Sequence, residues 1–214
     1  MQRRGRFITF EGPEGGGKSS HVKKLAEELT ASGCEVLITR EPGGTAAGET
    51  IRHLLQHDAD GEKLVGETEL LLFAASRAQL VREVILPALD SGVYVVCDRF
   101  ADSTIAYQGY GRQCAIEPLV AINRFAVAEA VPDLTFLLDI DVVAGLDRVR
   151  RRINGEAKGR DRFEREEIAF HERVRAGYLE LAAAQKGRFR VIDASREPDV
   201  VAEEIWRNVL PLIG

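Results

Sequence analysis

Residues Gly12-Pro13-Glu14-Gly15-Gly16-Gly17-Lys18-Ser19 satisfy the spacing G-x-x-x-x-G-K-[ST] in full, with Ser20 following. The apolar run Phe7-Ile8-Thr9-Phe10 precedes the loop, and Val22, Leu25, Ala26 and Leu29 follow it at helical spacing. A strand, a glycine loop and a helix in that order form a phosphate cradle. Glycines let backbone N–H groups turn inward with no Cβ in the way. The positive end of the following helix faces the same anion. In such a loop Lys18 reaches the outer phosphates and the Ser19 hydroxyl ligates Mg²⁺. The bland alternative, a glycine-rich turn opening an ordinary helix, is opposed by the matching flanks.

Around the loop, strand-like and helix-like segments alternate. Near-continuous apolar runs predict strands over 6–10, 35–40, 93–98, 134–140 and 189–193. Helical patterns cover 18–32, 45–57, 67–90, 115–130, 141–153, 164–185 and 197–212. This alternation predicts an α/β fold: a doubly wound, parallel, five-stranded sheet with helices on both faces. On the 67–90 helix, Leu71, Ala75, Ala78 and Ile85 form the more obvious core stripe. The polar stretch 154–162, with Gly155 and Gly159, reads as a loop between two helices. All five strands end in polar groups, where open α/β sheets bind ligands.

At 214 residues the chain is expected to be one domain (1–214) with a lid at about 150–163. Net charge of −5 does not suggest nucleic-acid binding. Cys34, Cys97 and Cys114 are sparse and odd in number, which fits a reducing compartment. The basic Met1–Arg6 stretch precedes no signal-type apolar region, and no run reaches membrane-spanning length. The expectation is a cytoplasmic protein without a membrane partner.

Several constellations carry chemistry. Asp98-Arg99 ends a strand, so Asp98 can hold Mg²⁺ or accept a proton while Arg99 clamps a phosphate; a strand-end salt bridge is the alternative. Arg40 has similar status, and the following Glu-Pro-Gly-Gly-Thr turn, with Pro42, can let backbone approach a ligand. Phe73 and Arg77 share a helix face with Leu80 and Val84. Phe73 can stack a planar base while Arg77 donates to its oxygens, or the two are a core phenylalanine beside a surface arginine. Ser103, Thr104, Tyr107 and Gln108 can orient a polar ligand or simply open a helix. Arginines crowd 148–165, among them Arg152, Arg160 and Arg162. They suit a solvated face, an RNA patch, or a lid closing over triphosphate; the phosphate loop favours the lid. Glu14, an acid inside an anion cradle, either points toward the acceptor side or forms a solvent-facing tip.

Together these residues resemble the thymidylate kinase family over essentially the whole chain. The most specific segments are Phe10-Glu11-Gly12 through Ser20, Thr39-Arg40-Glu41-Pro42-Gly43-Gly44-Thr45, Leu72-Phe73-Ala74-Ala75-Ser76-Arg77, Asp98-Arg99-Phe100 with Ser103-Thr104 and Tyr107-Gln108, and Asp161-Arg162-Phe163-Glu164. An acid in the loop with arginines in the lid looks like the bacterial form. The resemblance implies transfer of the ATP γ-phosphoryl to dTMP, giving dTDP and ADP on the way to dTTP. It implies that Gly12–Ser20 hold ATP and that Ser19 and Asp98 attend Mg²⁺. Glu14 would meet the sugar 3′-hydroxyl, and Arg40 and Arg99 the acceptor phosphate. Phe73 would stack on thymine, Arg77 donate to it, and Pro42, Ser103, Thr104, Tyr107 and Gln108 supply the other substrate contacts. Lys18, Asp98, Arg99, Glu14 and a lid arginine (Arg152, Arg160 or Arg162) would carry catalysis, in a homodimer. Other small-molecule kinases and a nucleotide-dependent switch are the rival readings. A switch of the GTPase kind would carry an Asn-Lys guanine reader, and the chain has no Asn-Lys pair.

Overall fold

The computed structural model describes residues 4–58, 61, 63–154 and 161–213. Five parallel strands lie in the order β2-β3-β1-β4-β5. They are β1 (Phe7–Glu11), β2 (Val36–Arg40), β3 (Tyr94–Asp98), β4 (Leu134–Asp139) and β5 (Phe189–Asp193). Strand β1 is central; the chain passes from it to β2 on one side and from β3 to β4 on the other, so a ligand crevice opens beyond the carboxyl ends of β1 and β3. Its five residues are all buried, as a strand covered on both faces requires.

The helices are α1 (Lys18–Ala31), α2 (Ala46–Gln56), α3 (Gly66–Leu80), α4 (Leu86–Asp90), α5 (Ala101–Thr104), α6 (Ile116–Val127), α7 (Val142–Asn154), α8 (Ile168–Ala184) and α9 (Pro198–Val209). One face of the sheet packs Ile8, Phe10, Phe136 and Leu138 against Val22, Leu25 and Leu29 of α1 and Val201 and Ile205 of α9. The other packs Phe7, Val95 and Cys97 against Leu80, Val81 and Ile85.

The sequence reading of 67–90 needs correction in two ways. The segment is α3, a π-helical turn over Val81–Ile85, then α4. The expected core stripe is also only partly right: Leu71 is 55% exposed and Ala75 is exposed, Ala78 is half-buried and Ile85 is buried, while on α3 it is Leu70, Ala74, Arg77 and Leu80 that are buried. Three consecutive leucines precede Phe73, so apolar periodicity alone cannot choose the buried side. A second difference is that α5 and a π-helical turn over Ile105–Gly111 occupy a stretch outside the predicted helical segments, where a helix opening was one of two readings of Ser103–Gln108. Gly109 and Gly111 argue against a helix by propensity. Here each admits a neighbour: a Cβ on Gly111 would lie 2.6 Å from Phe170 of α8.

Candidate active site

The glycine loop joins β1 to α1 and sits where the strand order reverses. Its backbone is possible only without side chains at key points. Gly15 has φ +75°, and a Cβ there would lie 2.1 Å from the Gly145 carbonyl of α7. Gly17, at φ 80°, caps α1 with no side-chain acceptor, so the first N–H groups of the helix face the loop. Gly12, Pro13 and Gly16 are buried in the loop; Ser20 is exposed on the first turn of α1. Lys18 is buried and donates to the Gly12 carbonyl at 3.1 Å and the Pro13 carbonyl at 2.8 Å. Burial and the nearby Arg99 guanidinium bring its ammonium down to about 8. Next to it, the Ser19 hydroxyl donates to Asp98 Oδ2 at 2.5 Å.

Arg99 follows β3 with φ 66°, a left-handed conformation uncommon outside glycine and frequent at functional sites. That backbone aims its guanidinium back at the loop. It donates to the Gly12 carbonyl at 3.0 Å, to Tyr178 Oη at 3.2 Å and to Glu14 Oε1 at 2.6 Å. Its Cζ lies 5.0 Å from the Tyr107 ring centroid, and Tyr107 Oη donates to the same Glu14 oxygen at 2.6 Å. Burial works to raise the Glu14 carboxyl, but Arg99, Lys18 and Tyr107 outweigh it and hold it at about 2. Glu14 thus turns inward onto Arg99 and Tyr107 and does not form a solvent-facing tip. Behind it, Glu11 accepts from the Phe100 N–H at 2.8 Å, Ser103 Oγ at 2.6 Å and Tyr178 Oη at 2.9 Å. Burial, with Asp102 nearby, pushes Glu11 up to about 7.

A cavity with an empty volume of about 880 Å³, its open mouth included, lies beside the loop. Glu14, Ser19, Arg40, Pro42, Phe73, Asp98, Arg99, Ser103, Thr104, Tyr107, Gln108 and Arg152 all line it. The parallel register explains part of this convergence, because Arg40 and Phe10 both pair with Asp98. Arg40 is held by Glu49, which accepts from it at 2.9 Å and also takes the Gly44 N–H. Thr104 is buried, and its Oγ1 has no hydrogen-bond partner among the described residues; a buried polar atom without a partner at a cavity wall calls for an explanation.

Two sequence expectations land elsewhere, and a third is not placed. Arg77 lies outside the cavity wall, 1% exposed. Its guanidinium donates to Glu41 through Nε and Nη2, to Asn123 Oδ1 at 2.6 Å and to the Phe100 carbonyl at 3.3 Å. Of the five N–H donors of a guanidinium, one Nη1 hydrogen remains free among the described residues. Arg162 is also buried; it donates to Glu69 and to the Gly61 carbonyl rather than facing the loop. Arg160 lies outside the described residues. Of the lid arginines that are described, Arg152 lines the cavity, with a side chain 59% exposed and Glu164 as partner at 2.9 Å.

The cavity also holds Arg52, Gln56, Asp161, Phe163 and Glu164, to which sequence reasoning gave no role. Arg52 donates to the Pro42 carbonyl at 2.9 Å. Glu49, Arg52 and Gln56 lie three and four residues apart on α2, a polar stripe at helical spacing that was legible. Phe163 sits 5.8 Å from Phe73, centroid to centroid, and closes the apolar end.

Comparison with known proteins agrees with this geometry. The family model for thymidylate kinase matches residues 10–205. A thymidylate kinase of Solidesulfovibrio magneticus is 50% identical, covering 97% of this chain and all of its own length. One of Pelotomaculum thermopropionicum is 52% identical over 95% of this chain and 92% of its own. The crystal structure of thymidylate kinase from Ehrlichia chaffeensis superposes with a TM-score of 0.77 at 33% identity, covering 97% of this chain and 99% of that one. With family model, full-length relatives and fold all in accord, the chain belongs to the thymidylate kinase family.

Proposed function

We propose that this cavity and loop carry out the family's reaction, with the residue roles that follow. The chain transfers the γ-phosphoryl of ATP to dTMP, giving dTDP and ADP. The acceptor phosphate oxygen is already an anion, so no residue needs to become a nucleophile. Positioning and charge neutralisation supply the catalysis. The observation that carries the reading is the convergence of Arg40, Arg52, Arg99 and Arg152 on one cavity beside the phosphate loop.

In this reading the loop backbone and Lys18 hold the ATP phosphates. Arg40, Arg52 and Arg99 orient the acceptor phosphate. Glu14, ionised at neutral pH, accepts from the sugar 3′-hydroxyl. Phe73 stacks on the base, and Gln108 and the orphan Thr104 hydroxyl bond its edge. Arg152 neutralises charge on the transferring group as the lid, about 150–163, closes and excludes water. Ser19 and Asp98 offer hard oxygen donors beside the cradle, which suits Mg²⁺. That ion would neutralise phosphate charge there.

A homodimer fits the exposed apolar residues on α3 and α6, namely Leu71, Ile116, Val120 and Phe125, the last 78% exposed. Light scattering of the purified chain tests this, and a monomer would reject it. No described helix is long and apolar enough to cross a membrane, and the three cysteines are free; both agree with a cytoplasmic setting.

The decisive experiment is ADP release with ATP and Mg²⁺, offering dTMP, dUMP, dCMP, dGMP and dAMP in turn. Strong preference for dTMP is expected. Preference for a purine monophosphate would keep the loop assignments and reject the base pocket.

A further inference from the structure

Gln108 lines the cavity yet is 1% exposed, because its amide nitrogen is turned into the protein. Nε2 donates to Glu69 Oε1 at 2.8 Å. Glu69, on α3, is itself 1% exposed and does not line the acceptor cavity. It is clamped from behind: Arg112 reaches both of its oxygens at 3.4 Å, and Arg162 donates to Oε2.

We propose that Glu69 is a positioning residue that sets which pyrimidine the cavity accepts, by locking the orientation of the Gln108 amide. A carboxylate can only accept hydrogen bonds. With Glu69 paired to two guanidiniums, the Gln108 nitrogen must face it. A flipped amide would place carbonyl oxygen against carboxylate oxygen. The Gln108 carbonyl is therefore left for the cavity, and among the described residues no donor takes it. An oxygen there accepts from the ring N3–H of thymine or uracil. Cytosine has a lone pair at that position, so its N3 would oppose the Gln108 oxygen. Thr104 cannot make this distinction, since a hydroxyl both donates and accepts. The discrimination resides in the amide, and Glu69 is what prevents the amide from adapting.

This inference rests on reading the cavity as the pyrimidine site, and the test separates the two. The full chain is assayed by ADP release with ATP and either dTMP or dCMP, as wild type, Glu69→Gln, Gln108→Ala and the double variant. A glutamine at 69 both donates and accepts, so it permits both Gln108 orientations. The ratio of kcat/KM for dTMP over dCMP is expected to fall about tenfold to a hundredfold in Glu69→Gln. KM for dTMP should rise while KM for ATP holds. In the Gln108→Ala background the same change should not move the ratio further. Equal loss on both acceptors, with the ratio preserved, would make Glu69 merely structural and overturn the proposal. An unchanged ratio in Gln108→Ala would remove the base pocket itself. A lower ratio in Gln108→Ala with none in Glu69→Gln would reject only the role of Glu69. If Glu69→Gln does not fold, Glu69→Asp carries the test. It keeps the charge for the arginines but draws the carboxylate back, so an unchanged ratio there also overturns the proposal.

Discussion

The Ser19 hydroxyl donates to Asp98 Oδ2 across 2.5 Å, tying the first turn of α1 to the end of β3. These residues are 79 positions apart and meet because β3 pairs directly with β1, whose end feeds the loop. If the pair attends Mg²⁺, Asp98→Asn should raise the Mg²⁺ concentration for half-maximal turnover by about tenfold to a hundredfold, the usual effect of losing a carboxylate around a metal. Titrating Mg²⁺ in the ADP-release assay checks this. An unaltered requirement would remove Asp98 from the metal's surroundings.

Glu11 gives a pH dependence of known sign. Its carboxyl moves from an ordinary 4.5 to about 7 in the folded chain, chiefly through burial. The folded state holds the proton more tightly than the unfolded one. The stability it contributes is complete below pH 4.5 and is lost as pH rises to 7. Glu11→Gln cannot titrate but keeps an acceptor for Phe100. Urea midpoints of wild type relative to this variant should fall from pH 4.5 to 7, by on the order of 3 kcal/mol at most. Glu14, held at about 2, acts in the opposite sense below pH 4.5 and leaves that window to Glu11. Parallel curves for the two proteins would show that Glu11 does not titrate there.

Much of this was readable from the chain, for identifiable reasons. The loop motif constrains backbone conformation directly, and buried parallel strands appear as apolar runs, so the sheet and the phosphate cradle follow from local residues. The strand ends differ by one residue at most from expectation, as at Phe7–Glu11. What escaped depends on tertiary partners. Arg77 looked like a pocket donor because its buried acceptor, Glu41, lies 36 residues away. Arg162 looked like a lid arginine because Glu69 is 93 positions away. An arginine's destination is set by where its acid lies, and spacing within one segment does not carry that information.

Gly145 is a third residue whose role only the fold reveals. It sits in α7, and a Cβ there would lie 2.3 Å from the Glu14 carbonyl, a backbone atom that cannot step aside cheaply. Gly145→Ala should therefore push the loop away from its cradle geometry. We expect KM for ATP to rise and kcat to fall roughly tenfold or more, since small misplacements at a reacting site are expensive. Helix content should be unchanged, because alanine favours helices over glycine. Normal kinetics in Gly145→Ala would mean the loop tolerates the displacement.

Arg152 and Arg162 should separate catalysis from folding within the proposed lid. Arg152 is more than half exposed, borders the cavity and has Glu164 as its partner. Removing it takes the guanidinium from the buried Glu164, but that carboxylate keeps the Asp161 N–H and is already raised by burial, so it can take up a proton, and Arg152→Ala should fold with only a modest drop in urea midpoint. Its kcat should drop by roughly a hundredfold or more, the scale on which a lost charge-stabilising donor acts. Arg162 is buried on Glu69. Arg162→Ala leaves that carboxylate with Arg112 and Gln108 alone, and loss of a buried charge partner costs up to about 3 kcal/mol. Its midpoint should fall, and its kcat at a temperature where it remains folded should drop far less than that of Arg152→Ala. Both variants are to be compared by urea unfolding and by single-turnover transfer to dTMP. If Arg162→Ala loses turnover while keeping its midpoint, the two arginines have exchanged roles and the lid closes by a different geometry.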